Sequence, residues 1–166
     1  MKRKTVVPLI LLVAVLCGNV AEASHWTPPG AGTIFMHIAG RLTIDGKAPQ
    51  SGDELGVFGS DGTLIGLHQV DGSTGFLYGD VAISGDDPNT PGENEGAQEG
   101  QSLSVKVWSA KNGREYSGNE IQLISTDEFS KHGYSDLALP LVFKENIFKG
   151  INISVKSNPG ILFPMN

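Results

Sequence analysis

Five acidic residues crowd the run GDDPNTPGENEGAQEGQ at 85–101, alongside four glycines and two prolines. The run holds no lysine, arginine or aromatic residue. Calcium takes about six to eight hard oxygen ligands and tolerates irregular geometry. Asp86, Asp87, Asn89, Glu93 and Glu95 offer such oxygens within ten residues, and Asp80 on the preceding segment offers one more. The spacing is not that of an EF-hand. A solvated turn is therefore the competing reading. That turn would still be shaped. Asp-Pro and Thr-Pro bias the residue before each proline toward extended backbone. Asp87 and Thr90 suit side-chain-closed turns, and Gly96 and Gly100 accept positive φ.

The other reactive residue types give weaker patterns. His25, His37, His68 and His132 form no HxH or HExxH pair, so zinc has no local signature. No G-x-S-x-G elbow is present. Paired carboxylates sit among glycines, where a general acid held in an apolar pocket is not expected. A secreted polysaccharide-active copper enzyme would need histidine as its first mature residue, and the cleavage expected below leaves Ser24 there. Trp108 and Tyr116 are candidates for stacking on a sugar ring. Alternatively, Trp108 covers a sheet face against the N-terminal segment or the tail, with Trp26 as a partner.

Strands must position these groups, because no amphipathic helical pattern of useful length follows residue 24. In Ile34–Ile44 the even positions are nearly all large and apolar, while the odd ones include His37, Arg41 and Thr43. That alternation marks a half-buried strand. Glu54–Phe58 and Thr63–Val70 flank Gly59-Ser60-Asp61-Gly62, a hairpin signature. Phe76–Ile83 reads as a further strand. Ser102–Trp108 alternates with Leu103, Val105 and Val107 inward, and Asn112-Gly113 turns it back toward Glu115-Tyr116. Ile121–Ile124, Leu137–Phe143 and Ile147–Val155 complete eight or nine strands. The expected fold is all-β, a single antiparallel β-sandwich, with a small β-barrel as the alternative. The domain is expected over 34–156, after an extended lead-in at 24–33 and before a tail at 157–166.

Residues 1–23 read as a signal peptide. Lys2-Arg3-Lys4 is followed by an apolar stretch from Val6 to Leu16 and the small residues Ala21 and Ala23. The apolar stretch is shorter than the roughly 20 residues a bilayer span needs. Cys17 raises a lipoprotein alternative, with bulky Leu16 against it. Removing residues 1–23 leaves 143 residues with 9 Lys+Arg and 17 Asp+Glu, a net charge near −8. An acidic chain without a basic run argues against nucleic acid and anionic membrane surfaces. Cys17 is the one cysteine, so the mature chain has neither thiol chemistry nor a disulfide framework.

Three strings in order carry a resemblance. They are LTIDGKAPQSGDELGVFGSDGTLIG at 42–66, GDDPNTPGENEGAQEGQSLSVKVW at 85–108 and AKNGREYSG at 110–118. Together they resemble immunoglobulin-like or carboxypeptidase-regulatory-like β-sandwich modules of bacterial and archaeal secreted and cell-surface proteins. The GDDP–TP–EGA–G string is the specific part. The resemblance implies a structural, adhesive or binding role without catalytic residues. Such modules usually recur as repeats in larger proteins, whereas this chain carries one copy.

These observations point to a secreted or surface-exposed module, in the periplasm or outside the cell. Its expected role is structural, with calcium as a stabilising ion and self-association through Ile147–Val155 as a route to a filament or matrix. A polysaccharide partner met by Trp108 and Tyr116 is the alternative.

Overall fold

A computed structural model describes residues 24–30, 32–87, 89–90 and 95–157. The expected leader, Glu93 and residues 158–166 of the expected tail lie outside the described residues. Among the described residues there are eight strands: β1 (Ile34–Ile44), β2 (Glu54–Phe58), β3 (Leu64–Gln69), β4 (Leu77–Gly85), β5 (Ser104–Ser109), β6 (Arg114–Tyr116), β7 (Ile121–Ser125) and β8 (Phe148–Val155). Its helical content among the described residues is two short 3-10 turns, Gly118–Glu120 and Ser130–His132. None of these is long and apolar enough to cross a membrane.

The strands build two four-stranded sheets, in the orders β4-β1-β8-β7 and β3-β2-β5-β6, and the two do not close into a barrel. Alternation explains why they share one core. Met36, Ile38, Leu42 and Ile44 point inward from β1, Leu55 and Val57 from β2, Val105 and Val107 from β5, Ile151, Ile153 and Val155 from β8. Each such buried side chain contributes about 1.5–3 kcal/mol relative to exposure. The architecture is therefore sandwich-like.

Two expectations are corrected. The sheet containing β1 is mixed, because β8 runs parallel to β1 while pairing antiparallel with β7. The segment Leu137–Phe143 is not a strand. It makes only two isolated bridges nearby, Asp136 with Lys149 and Val142 with Ser102. Pro140 lacks the N–H a ladder needs. The segment instead crosses from the edge of one sheet to the other, and buries Leu141 and Phe143 on the way.

The middle of β1 bends at a bulge between Gly40 and Arg41. Here a Cβ on Gly40 would stand 1.8 Å from the Ile151 carbonyl oxygen. The buried Tyr78 hydroxyl donates to that same carbonyl at 2.7 Å. The tyrosine thus gives the Ile151 carbonyl a donor where β1 and β8 approach most closely. Burial pushes its phenol far above the ordinary range.

Candidate functional site

The acidic run is a folded loop at the end of β4. Asp86 N–H donates to Ala97 O, Ala97 N–H donates to Ser84 O, and Gly85 bridges to Ala97. Gly96 lies so close to β4 that a Cβ would meet Ser84 O at 2.3 Å. Asp87 Oδ1 accepts from the backbone N–H and side-chain amide of Asn89, both at 2.8 Å. Its Oδ2 accepts from Thr33 Oγ1 at 2.7 Å. The Thr33 hydroxyl, then the Asn89 donors, hold the Asp87 carboxyl below its ordinary value. Asp86 Oδ1 accepts from Glu95 N–H at 3.2 Å, and Thr90 Oγ1 contacts Glu95 Oε2 at 2.9 Å.

Asp80 does not join this loop. It precedes Asp86 by six residues of extended chain, about 20 Å along β4. Its carboxylate lies against His37 Nδ1 at 3.0 Å on the outer face of the β1 sheet. His37 stacks on Phe148 with ring centroids 4.7 Å apart, and Tyr134 meets Phe148 edge-on. Burial, followed by Asp80, raises the Tyr134 phenol to about 12. Among the described residues no three His, Cys, Asp or Glu side chains are placed to share a metal ion.

Trp108 and Tyr116 are separated by their own sheet. Val107 pairs with Tyr116, and both point into the core, where Tyr116 is 1% exposed. Trp108 points the other way and is covered by the N-terminal segment. The His25 ring stacks on it at 3.7 Å, with the planes 3° apart. Trp26 meets Phe58 edge-on at 5.5 Å, and Lys106 sits over the Phe58 ring at 4.7 Å. The lead-in is therefore a cover over the β2–β5 face, with Trp26 beside His25.

A pair of carboxylates that sequence reasoning passed over holds these pieces in place. Asp53 and Glu54, at the start of β2, are each 2% exposed. Asp53 accepts from Gln50 N–H at 2.8 Å and from Ala110 N–H at 2.9 Å. Glu54 accepts from His25 N–H at 2.7 Å and from Trp26 N–H at 3.1 Å. One carboxylate fixes the turn before β2 and the β5–β6 hairpin, and the other fixes the lead-in. The available signal was an acidic pair placed directly before the apolar run LGVF.

An open groove of about 470 Å³ runs where β3 and β4 meet, lined by Pro28, Pro29, Phe35, His68, Gln69 and Asp80 among others. Burial lowers the His68 pKa, against the opposing pull of Asp71 and Asp80. Compared with known proteins, the chain matches no family model, no curated protein and no solved structure at a significant level.

Proposed function

We propose that this chain is a non-catalytic structural or surface-associated module of an exported protein, working as a subunit of an assembly or matrix. One observation carries this reading. The buried carboxylates Asp53 and Glu54 accept backbone N–H donors of the chain's own connecting segments. A general base needs a lone pair facing substrate. Asp53 and Glu54 spend theirs on holding loops to a rigid β framework. Asp86, Asp87 and Glu95 likewise accept from the chain's own donors, which supports a shaped turn over a calcium site.

The reading is tested by producing the full chain in a bacterial host and fractionating the cells. The expected product begins at Ser24 and is retained with surface or matrix material. A product released into the medium as a free monomer overturns the assignment. A second reading, carbohydrate binding, draws on the groove rather than on Trp108 and Tyr116. Its aromatic wall and amide, imidazole and carboxylate groups suit the faces and hydroxyls of a sugar. Retention on an insoluble polysaccharide, lost on Gln69→Ala and Phe35→Ala, would favour it.

A further inference from the structure

The four-stranded β1 sheet ends in β7, and this edge differs from the others. β4, at the opposite end, lies against β3, where a Cβ on Gly66 would stand 3.1 Å from Ala82 O. β6, the corresponding edge of the second sheet, is three residues long and carries Arg114 and Glu115. Natural edge strands are guarded by charge, proline, bulges or shortness. β7 reads Ile-Gln-Leu-Ile-Ser, pairs with β8 in unbroken register and has none of these guards.

The direction of its free groups follows from its bonds. Thr126 N–H donates to Gly150 O, and Lys156 N–H donates to Glu120 O. Even-numbered residues along β7 therefore face β8, and the odd-numbered ones face away. Ile121 N–H is taken by Gly118 O. That leaves Ile121 C=O and both backbone groups of Leu123 and Ser125, without a backbone partner among the described residues. Exposed apolar side chains lie on β7 and on the segments that adjoin it, one of which receives the Ser125 hydroxyl at Leu137 O. Ile124 is 45% exposed on β7 itself. Leu137 and Leu139 are exposed on the crossing segment, and Phe148 at the adjoining start of β8.

We propose that the β7 edge is a docking surface for a second copy of this chain, joined by antiparallel β7–β7 pairing about a two-fold axis at Leu123. This rests on the assembly reading above and names its surface. A symmetric antiparallel pair centred on Leu123 sets Leu123 opposite its mate, Ile121 opposite Ser125 and Gln122 opposite Ile124. The outward groups then meet in hydrogen-bonding register, with Leu123 bonding its mate twice and each Ser125 N–H donating to the other copy's Ile121 C=O. The chain carries a net charge of −6, so two copies repel in general. The paired segment 121–125 is uncharged, and Glu120 at its end would face Thr126 and is already paired with Arg114. A self-complementary patch of this kind is what a two-fold interface requires. β8, by contrast, has a partner on each side and offers no free edge, so association through Ile147–Val155 is replaced by association through β7.

Sedimentation velocity on the full exported chain at rising concentration tests this. A reversible dimer is expected. Ile124→Lys, on a side chain already half in solvent, is expected to weaken it about tenfold or more. Adding Gln122→Glu restores it, because 122 of one copy faces 124 of the other. Amide exchange at Leu123 and Ser125 should slow as concentration rises, with the β8 ladder unchanged. Association that ignores Ile124→Lys overturns the β7 surface and leaves the assembly reading standing. A strict monomer at every concentration overturns both.

Discussion

Two sets of carboxylates in this chain behave in opposite ways. The acidic run of 85–101 dominates the sequence, yet Asp87 lies at the surface, bonded to Thr33 and Asn89. Asp53 and Glu54 are an unremarked pair in the sequence, yet they are almost wholly buried and hold three separate segments to the sheets. The difference teaches that a carboxylate's weight follows its burial and the donors that depend on it. A buried N–H left without a partner costs about 1–3 kcal/mol. An exposed N–H turns to water instead.

That contrast is broken most directly at Asp53. Asp53→Ala strips the acceptor from Gln50 N–H and Ala110 N–H together. A loss of about 3 kcal/mol in chemical denaturation is expected. A loss below about 0.5 kcal/mol would mean that water substitutes freely and that burial is the wrong criterion. Glu54→Ala follows at about 2 kcal/mol, since its donors lie in a partly buried segment. This variant has its own signal. The chain's two tryptophans, Trp26 and Trp108, both belong to the covered face. Their emission should shift to the red in native conditions as the lead-in detaches. Unchanged emission would show that aromatic stacking alone holds the cover.

Asp136 stands between the two sets. It lies 3.1 Å from the ammonium of Lys149, which is buried and also donates to Ala138 O at 2.6 Å. The Ala138 N–H, and secondarily Lys149, hold the Asp136 carboxyl below its ordinary value. A depressed carboxyl contributes stability above its unfolded value, near 4, and loses that contribution as pH falls through the folded one. Asp136→Asn is therefore expected to lower the melting midpoint equally at pH 7 and pH 5. The gap should begin to narrow below about pH 4, where the unfolded carboxyl protonates, and close only as pH falls through the lower folded value. A gap that persists unchanged into acid would show that the charge on Asp136 is not what Lys149 uses.

Much of the framework was legible because alternation is a local signal. The even positions of Ile34–Ile44 and the odd positions of Ser102–Trp108 point where the pattern said. The cover over Trp108 was legible as one of two readings, because an outward tryptophan needs something over it. What stayed hidden depends on contacts between distant residues. Nothing local in Phe148–Val155 tells that it runs parallel to β1, because direction is set by the long crossing segment before it. Nothing near Tyr116 separates it from Trp108, except the inward choice already made for Val107. Asp80 looked like a neighbour of Asp86 on the chain, but six extended residues carry it away.

The smallest expected effect sharpens the comparison from the other side. If the 85–101 loop is a self-satisfied turn, calcium has little to gain there. Asp87 Oδ1 already accepts two donors and Oδ2 a third, so a cation would compete with Asn89 and Thr33 for a carboxylate that is largely engaged. Thermal melting in millimolar calcium and in excess chelator should give midpoints within about one degree, since a ligand held only by the native state raises its stability in proportion to RT ln(1 + [L]/Kd). Asp87→Asn keeps the shape and most of the acceptors, and its midpoint should move by no more than about two degrees. A calcium-dependent rise of several degrees that Asp87→Asn abolishes would reverse the contrast. The loop carboxylates would then hold an ion, and their crowding would be a charge requirement in place of a by-product of turn chemistry.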